Sequence, residues 1–474
     1  MQDGQGWAFE EFGDAQLGDA RRVRRLVRLA DEVSRFPSGT VTGACRTSAS
    51  CEGAFRLLEN SAVRSEALGA AAQQAAARRC AGYTQVIVPV DGSSLTLTDT
   101  RCRKGLGAVG SWSAGGRGIH AISALAVAPD GTPLGLCAQR PWVRKRRAKS
   151  SHKHGGRIET SESEVRHWGD TIAMAQENLA REAPGCVAWY QIDRGGDCWQ
   201  VLDLAQQNDW LITIRATHDR RVEHAAGRLW KAVQSAPVRA RRTIQVRAKP
   251  ARYTRKRVGG KVRFRLGRPQ KAHSARLEIR AARVPLRLTK PSGKTWVVEV
   301  NAVLVQEMGR GINRIEWMLL TTHSIATRKD VLRVVNSYAL RWRIEDFHRT
   351  WKRGLCHVED TQLRSREAVL KWATILASVA TRAMRLSQLA RTSPDVPATD
   401  ELSAYELEAL VVLRKPKAYV KGTIPTLAQA VRWMAELGGY IRPANGPPGP
   451  TVIGRGLYDV LITAQAFEAR DKMR

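Results

Sequence analysis

Three acidic residues stand where an α/β chain can use them. Asp91 closes the apolar run VIVPVD, Asp193 closes VAWYQID, and Glu345 lies in a long helical stretch at about 329–353. Carboxylates at strand ends share one edge of a sheet, and a helix packed there adds a third. Mg²⁺ takes oxygen ligands and keeps part of its water shell, so two or three carboxylates suit it. Two such ions about 3.5–4 Å apart activate an attacking oxygen and stabilise a leaving one in phosphoryl transfer. Strand ends also attract Asp as caps and turn formers, so the acids alone leave both readings open.

The helix is more specific. Tyr338, Arg341, Glu345 and Lys352 lie at relative positions 0, 3, 7 and 14. At about 100° per residue they span an arc of about 60°. That face suits a metal-bound phosphodiester: Glu345 to ligate the metal, Arg341 and Lys352 to hold phosphates, Tyr338 to donate to another oxygen. The plainer alternative is a solvated face on which Arg341 pairs with Glu345 four residues on.

These residues need elements to position them. Residues 1 to about 75 read as short helices. Asp19 is an N-cap for ARRVRRLVRLADEVSRF, with Leu26, Leu29 and Val33 on an apolar stripe, and a second helix covers about 50–58. From Val86 the pattern turns to strands: VIVPVD, then GIHAISALAVAP and LGLCAQ as a hairpin turning at 129–132. A polar helix at about 161–182, the strand VAWYQID, a short helix at 198–208 and a strand at 210–216 come next. After a basic β-like segment, a strand opens at Trp317 and the long helix follows. This order predicts a mixed α/β fold, a ribonuclease-H-like core of mixed sheet and flanking helices interrupted by a β-rich insertion. The expected domains are a helical one at 1–75, the core at 76–387 with its insertion at about 235–316, and a helical one at 388–474 with a turn-rich break at 443–450.

The charge balance points to a polyanion. The 474 residues include 77 Lys+Arg against 44 Asp+Glu, a formal charge of +33. Residues 239–290 hold nineteen Lys/Arg and one acid, Glu278, and apolar–basic alternation there predicts strands with one strongly positive face. Smaller clusters are Arg21, Arg22, Arg24, Arg25 and Arg28, and a run from Arg144 to Lys153. Any single cluster reads as solvated surface, but three without compensating acids favour phosphate contact. No apolar run approaches the ~20 residues of a membrane span, the start has no signal-like pattern, and eight scattered cysteines show no CxxC pair. The expected location is cytoplasmic, with the nucleoid.

The stretch YALRWRIEDFHRTWKRG contains Y-(2)-R-(3)-E-(6)-K. It resembles the signature of bacterial insertion-sequence DDE transposases, and nearly the whole chain resembles their Tn-five branch. WAFEEFGDAQLGDARRVRRLV, CEGAFRLLEN, VDGSSLTL, IDRGGDCW, EWMLLTT and WMAELGGYIR carry that likeness. The resemblance implies a DDE triad of Asp91, Asp193 and Glu345 binding two Mg²⁺ per active site, with Mn²⁺ able to substitute. It implies phosphate contacts from Tyr338, Arg341 and Lys352, with Arg349 where the relatives have a lysine. Trp317 corresponds to a tryptophan that stacks on a flipped base, while Arg215 and the 239–290 segment line a DNA channel. The N-terminal arginines would recognise terminal inverted repeats, and the C-terminal helices would pair two copies in the DNA-bound complex. Neither a membrane nor a nucleotide cofactor is expected. One departure stands out: Gly195-Gly196 replaces a usual Glu-Ala after the second aspartate, which bears on positioning.

Other signals are weaker. Gly105 to Gly110 fits G-x-G-x-x-G but lacks a preceding apolar strand and a following helix, so a loop is the better account. His152 and His154 sit among lysines and read as a basic loop. Two rival functions remain: a catalytically silent DNA-binding repressor derived from a transposase, and a ribonuclease-H-like nuclease without strand transfer.

Overall fold

A computed structural model describes residues 6–110, 115–144, 164–246, 248, 251, 253–258, 261–267, 269, 271–290, 293–309, 314–417, 419–441 and 447–473. The basic run 145–153, His152 and His154, the first residues of the helix expected from 161, and part of the 443–450 break lie outside the described residues.

Five helices open the chain: α1 (Trp7–Phe12), α2 (Ala20–Arg35), α3 (Val41–Ala44), α4 (Ser48–Glu59) and α5 (Ser65–Arg78). Strands β1 (Gln85–Thr96), β2 (Gly107–Ala108), β3 (Arg117–Val127) and β4 (Pro133–Trp142) follow, then α6 (Arg166–Glu182), β5 (Val187–Ile192) and α7 (Trp199–Gln207). Next come β6 (Leu211–Arg215), α8 (Leu229–Gln234), β7 (Val238–Val246), β8 (Tyr253–Val258) and β9 (Lys261–Leu266). After them run β10 (His273–Thr289), β11 (Thr295–Glu307), β12 (Glu316–Thr321) and α9 (Arg328–Ala339). The last helices are α10 (Arg343–Arg349), α11 (Arg366–Thr392), α12 (Ala404–Arg414), α13 (Leu427–Leu437) and α14 (Pro450–Lys472). The chain forms two compact units, one of residues 1–204 with 340–474 and one of residues 205–339.

The fold is the mixed α/β class expected, with ribonuclease-H-like features. In the first unit β1 lies between β3, antiparallel, and β5, parallel, while β4 pairs with the far side of β3. The β3–β4 hairpin turns where expected: Gly131 takes φ +92, and the Ala128 N–H donates to Thr132 O at 2.8 Å. Asp19 caps α2 by accepting from Arg21 N at 2.7 Å, and Leu26, Leu29 and Val33 are buried.

One core joins elements far apart in sequence. Phe12, Leu26, Leu29, Val33 and Leu58 of the N-terminal helices share it with Leu95, Ile119, Ile344, Phe347, Trp351 and Trp372. The N-terminal helices therefore have no separate core. α11 runs unbroken through residue 388, but its company changes along it. Side chains up to Met384 belong to this core, and from Leu386 they join a second core with α12, α13 and α14.

The second unit is an antiparallel sheet in the order β6-β12-β11-β10-β7, with β8 and β9 as a separate pair. β10 shows the expected alternation, with Ala275, Leu277 and Ile279 buried and Arg276, Arg283 and Arg287 exposed. β9 departs from it. Phe264 is 68% exposed and Leu266 50%, because a two-stranded pair supplies no second layer to cover its apolar side.

Candidate active site

The apolar runs VIVPV and VAWYQI form parallel neighbours because both are buried on two faces. Their register, Pro89↔Gln191 and Val90↔Ile192, carried one step further sets Asp91 beside Asp193. Asp91 was expected to end its strand; instead β1 continues to Thr96 along β3. Only the parallel pairing stops there, because β5 turns away at Asp193 into a short 3₁₀ turn. Each aspartate is held by a nearby backbone amide. Asp91 Oδ1 accepts from Gly92 N and Asp193 Oδ1 from Gly195 N, both at 2.7 Å.

The helix expected at 329–353 is present but not uniform. A 3₁₀ turn at Leu340–Trp342 separates α9 from α10, and a π turn at Thr350–Gly354 follows. The Thr350 hydroxyl donates to Asp346 O, and the Leu355 N–H reaches back five residues to Thr350 O at 3.0 Å. The π turn carries Lys352, whose Nζ donates to Ser94 O at 2.6 Å, three residues past Asp91.

Arg341, on the 3₁₀ turn, is only 8% exposed. Its guanidinium stands 3.7 Å from Asp91 Oδ2 and 2.6 Å from Glu345 Oε1, bridging two of the three acids. The expected i,i+4 pair of Arg341 and Glu345 thus exists, but inside the acidic cluster and not on a solvated face. Burial, and then the neighbouring Asp193, push the Asp91 carboxyl up to about 7 against the pull of Arg341; Glu345 adds a smaller push. His348, one turn past Glu345, is pulled down to about 3 by burial and by Lys352 and Arg341, so it is neutral.

The first unit therefore gathers Asp91, Asp193, Glu345, Arg341 and Lys352. Tyr338 and Trp317 belong to the second unit, where their rings meet edge-on at 5.3 Å. Arg215 there donates to Glu316 O at 2.9 Å. Arg349 is exposed and pairs with Asp346 at 2.6 Å. The four N-terminal arginines divide. Arg21 and Arg24 are exposed, whereas Arg22 donates to Leu17 O at 2.9 Å and Arg25 to Ser50 O at 2.6 Å, bracing α2 from within.

Residues 4–63 match the family described as transposase DNA-binding, and residues 139–381 match the transposase DDE domain family, just over half of the chain. The chain belongs to the DDE transposases. DNA is accordingly a partner, and the match to the DDE domain takes in both Asp193 and Glu345; Asp91 precedes it. Among the described residues no helix is long and apolar enough to cross a membrane.

DDE transposase domains generally use divalent ions, and the donors here fit one. They are all carboxylate oxygens, and the Asp91 carboxyl is raised first by burial and then by the like charge of Asp193, which a cation would offset. Among the described residues no three Asp, Glu, His or Cys side chains close on one point, and Arg341 pairs with two of the acids.

Several residues escaped the sequence reading. Glu359 accepts from Thr96 N at 2.8 Å and pairs with Lys352 at 3.6 Å, tying the π turn to β1. Nothing in its spacing marks it. Gln191 is fully buried beside Pro89 with no hydrogen bond on its amide O or N. Its signal was a lone amide inside an apolar strand. Trp168, on α6, lies against Gly195 and Gly196 and near Gly92.

Proposed function

We propose that this DDE transposase works by cut and paste at terminal inverted repeats, as the Tn-five branch signature suggests. The observation that carries the catalytic reading is Arg341 bridging Asp91 and Glu345, with Asp193 close enough to Asp91 to add to the burial that raises its carboxyl. These three residues are the proposed ligands of two Mg²⁺ ions, or Mn²⁺ in their place. When bound, the ions supply Lewis acidity to the attacking and leaving oxygens of phosphoryl transfer. Arg341 and Lys352 hold phosphate oxygens, with Tyr338 and Arg349 as further contacts, and Trp317 stacks on a flipped base. Water nicks one strand, and the freed 3′-hydroxyl attacks the other to give a hairpin, which is hydrolysed. The 3′-ends then join target DNA by direct transesterification, without a covalent enzyme intermediate.

In this reading residues 1–75 bind the DNA end, with Arg21 and Arg24 on phosphates and Arg22 and Arg25 bracing their helix. Residues 76–387 cut and join, with Arg215 and the basic insertion at about 235–316 along the DNA. Residues 388–474 pair two copies in the synaptic complex, and the work is done in the cytoplasm at the nucleoid. The test uses a duplex carrying the inverted repeat that flanks the gene. Glu345→Gln is expected to keep the gel shift and lose strand cleavage in Mg²⁺. Normal cleavage by that variant would remove Glu345 from the site. A gel shift by wild type without cleavage in Mg²⁺ or Mn²⁺ would favour a repressor, and cleavage without joined products a nuclease.

A further inference from the structure

The turn after Asp193 has no side chains at Gly195 and Gly196, and an indole takes their place. A β-carbon built on Gly195 would stand 3.1 Å from Trp168 Cζ2 and 3.0 Å from Asp193 Oδ1. One on Gly196 would collide with Ile192 Cγ2 and lie 2.9 Å from Trp168 Cε3. The same ring edge, Cζ2, is 3.8 Å from the corresponding point on Gly92. Trp168 is 8% exposed and sits in the first turn of α6. Its ring therefore lies against the two backbone segments whose amides, Gly92 N and Gly195 N, hold the carboxylates of Asp91 and Asp193 at 2.7 Å. Neither glycine of the pair at 195–196 has a positive φ, so close approach and not backbone conformation demands them.

We propose that Trp168 is a positioning residue for the active site: its indole, seated against Gly92, Gly195 and Gly196, sets the spacing and aim of the Asp91 and Asp193 carboxylates. This rests on the reading of those acids as ion ligands. The geometry makes volume at 168 and volume at 195 complementary. An added methyl at Gly195 presses on the ring and on the carboxylate together, and a shorter ring gives that methyl room.

The test compares Trp168→Phe, Gly195→Ala and the double variant with wild type and with Asp193→Asn, all full-length. Mn²⁺ binding without DNA is read by electron paramagnetic resonance, thermal stability by melting, and cleavage across a Mg²⁺ titration. Loss of such supporting contacts costs about 10–100-fold in ion affinity. Gly195→Ala is expected to weaken Mn²⁺ about tenfold in a protein that still melts cooperatively and shifts DNA. The double variant is expected to recover most of that loss. Unchanged ion binding by both single variants, or a double variant no better than Gly195→Ala, would overturn the proposal. Asp193→Asn separates the two readings. If it binds Mn²⁺ as wild type does, the ligand assignment fails; if it loses binding while Gly195→Ala does not, only the role of Trp168 fails.

Discussion

Arg341 and Asp91 stand 3.7 Å apart, guanidinium to carboxylate, with side chains only 9% and 16% exposed. Arg341 lowers the Asp91 carboxyl, yet burial and the other acids win and leave it at about 7. Between about pH 4 and 7 the folded chain thus holds a proton that the unfolded chain releases. The stability due to this group is greatest at low pH and is lost as pH rises through 7.

Asp91→Asn removes the charge without the volume. Free of divalent ions at pH 8, this variant should be more stable than wild type by roughly 1–4 kcal/mol, and the gap should shrink toward pH 4. Thermal melts in EDTA across pH 5–8 check this. Identical melts at pH 8 would place Asp91 outside a repulsive cluster.

The arginines of α2 should separate into two behaviours. Arg21→Ala and Arg24→Ala are expected to leave stability within about 0.5 kcal/mol of wild type. Each should weaken DNA binding and reduce its salt slope by about 1. Arg25→Ala strips a donor from Ser50 O and should cost about 1–3 kcal/mol. Salt-series gel shifts beside melting curves distinguish them; a melt for Arg24→Ala as low as that for Arg25→Ala would contradict the division.

Glu359 should matter although it lies away from the acids. Glu359→Ala leaves the Thr96 N–H without its acceptor and takes the ion pair from Lys352, which keeps only Ser93 and Ser94, so we expect a loss of about 1–3 kcal/mol and slower cleavage at nearly unchanged DNA affinity. Glu359→Gln keeps an oxygen for Thr96 and should regain most of the stability. Equal destabilisation by both variants would assign the effect to the ion pair alone.

Trp317→Ala should leave the first nick near wild type and slow hairpin formation about 10–100-fold, the worth of one stacked base at 1–3 kcal/mol. Trp317→Phe, which keeps a ring against Tyr338, should lie between. Time courses on denaturing gels resolve the two steps. A matched slowing of both would point to lost packing in place of base stacking.

The segments that carry the proposed catalytic residues were legible because each segment's pattern is local. Two apolar runs ending on Asp declare strands, and Arg341, Glu345 and Lys352 share one helical repeat. The sequence could not show that β1 continues past Asp91, since β1 follows β3 while β5 departs. Nor did it show the 3₁₀ turn at Leu340–Trp342 or the π turn at Thr350–Gly354, where the Thr350 hydroxyl bonds back to Asp346 O. Alanine-rich α5 and the long α11 give weak periodic signals because small residues pack on several sides. Trp168 and Gly195-Gly196 are 27 residues apart and form a pair only in three dimensions.

The single core joining α2 and α4 to Phe347, Trp351 and Trp372 bears on how such an enzyme acquires a new target. If residues 1–75 bind the DNA end as proposed, they cannot be exchanged as a cassette, because Leu26, Leu29 and Leu58 share one core with Trp372 of α11 and with Ile344 and Phe347 of the helix that presents Glu345. On that reading new specificity should be reached through the exposed face of α2, at Arg21, Arg24 and Arg28, while its inward face is held by the shared core. Chimaeras cut near residue 75 should therefore misfold unless the residues around Trp372 are transplanted with the donor's helices.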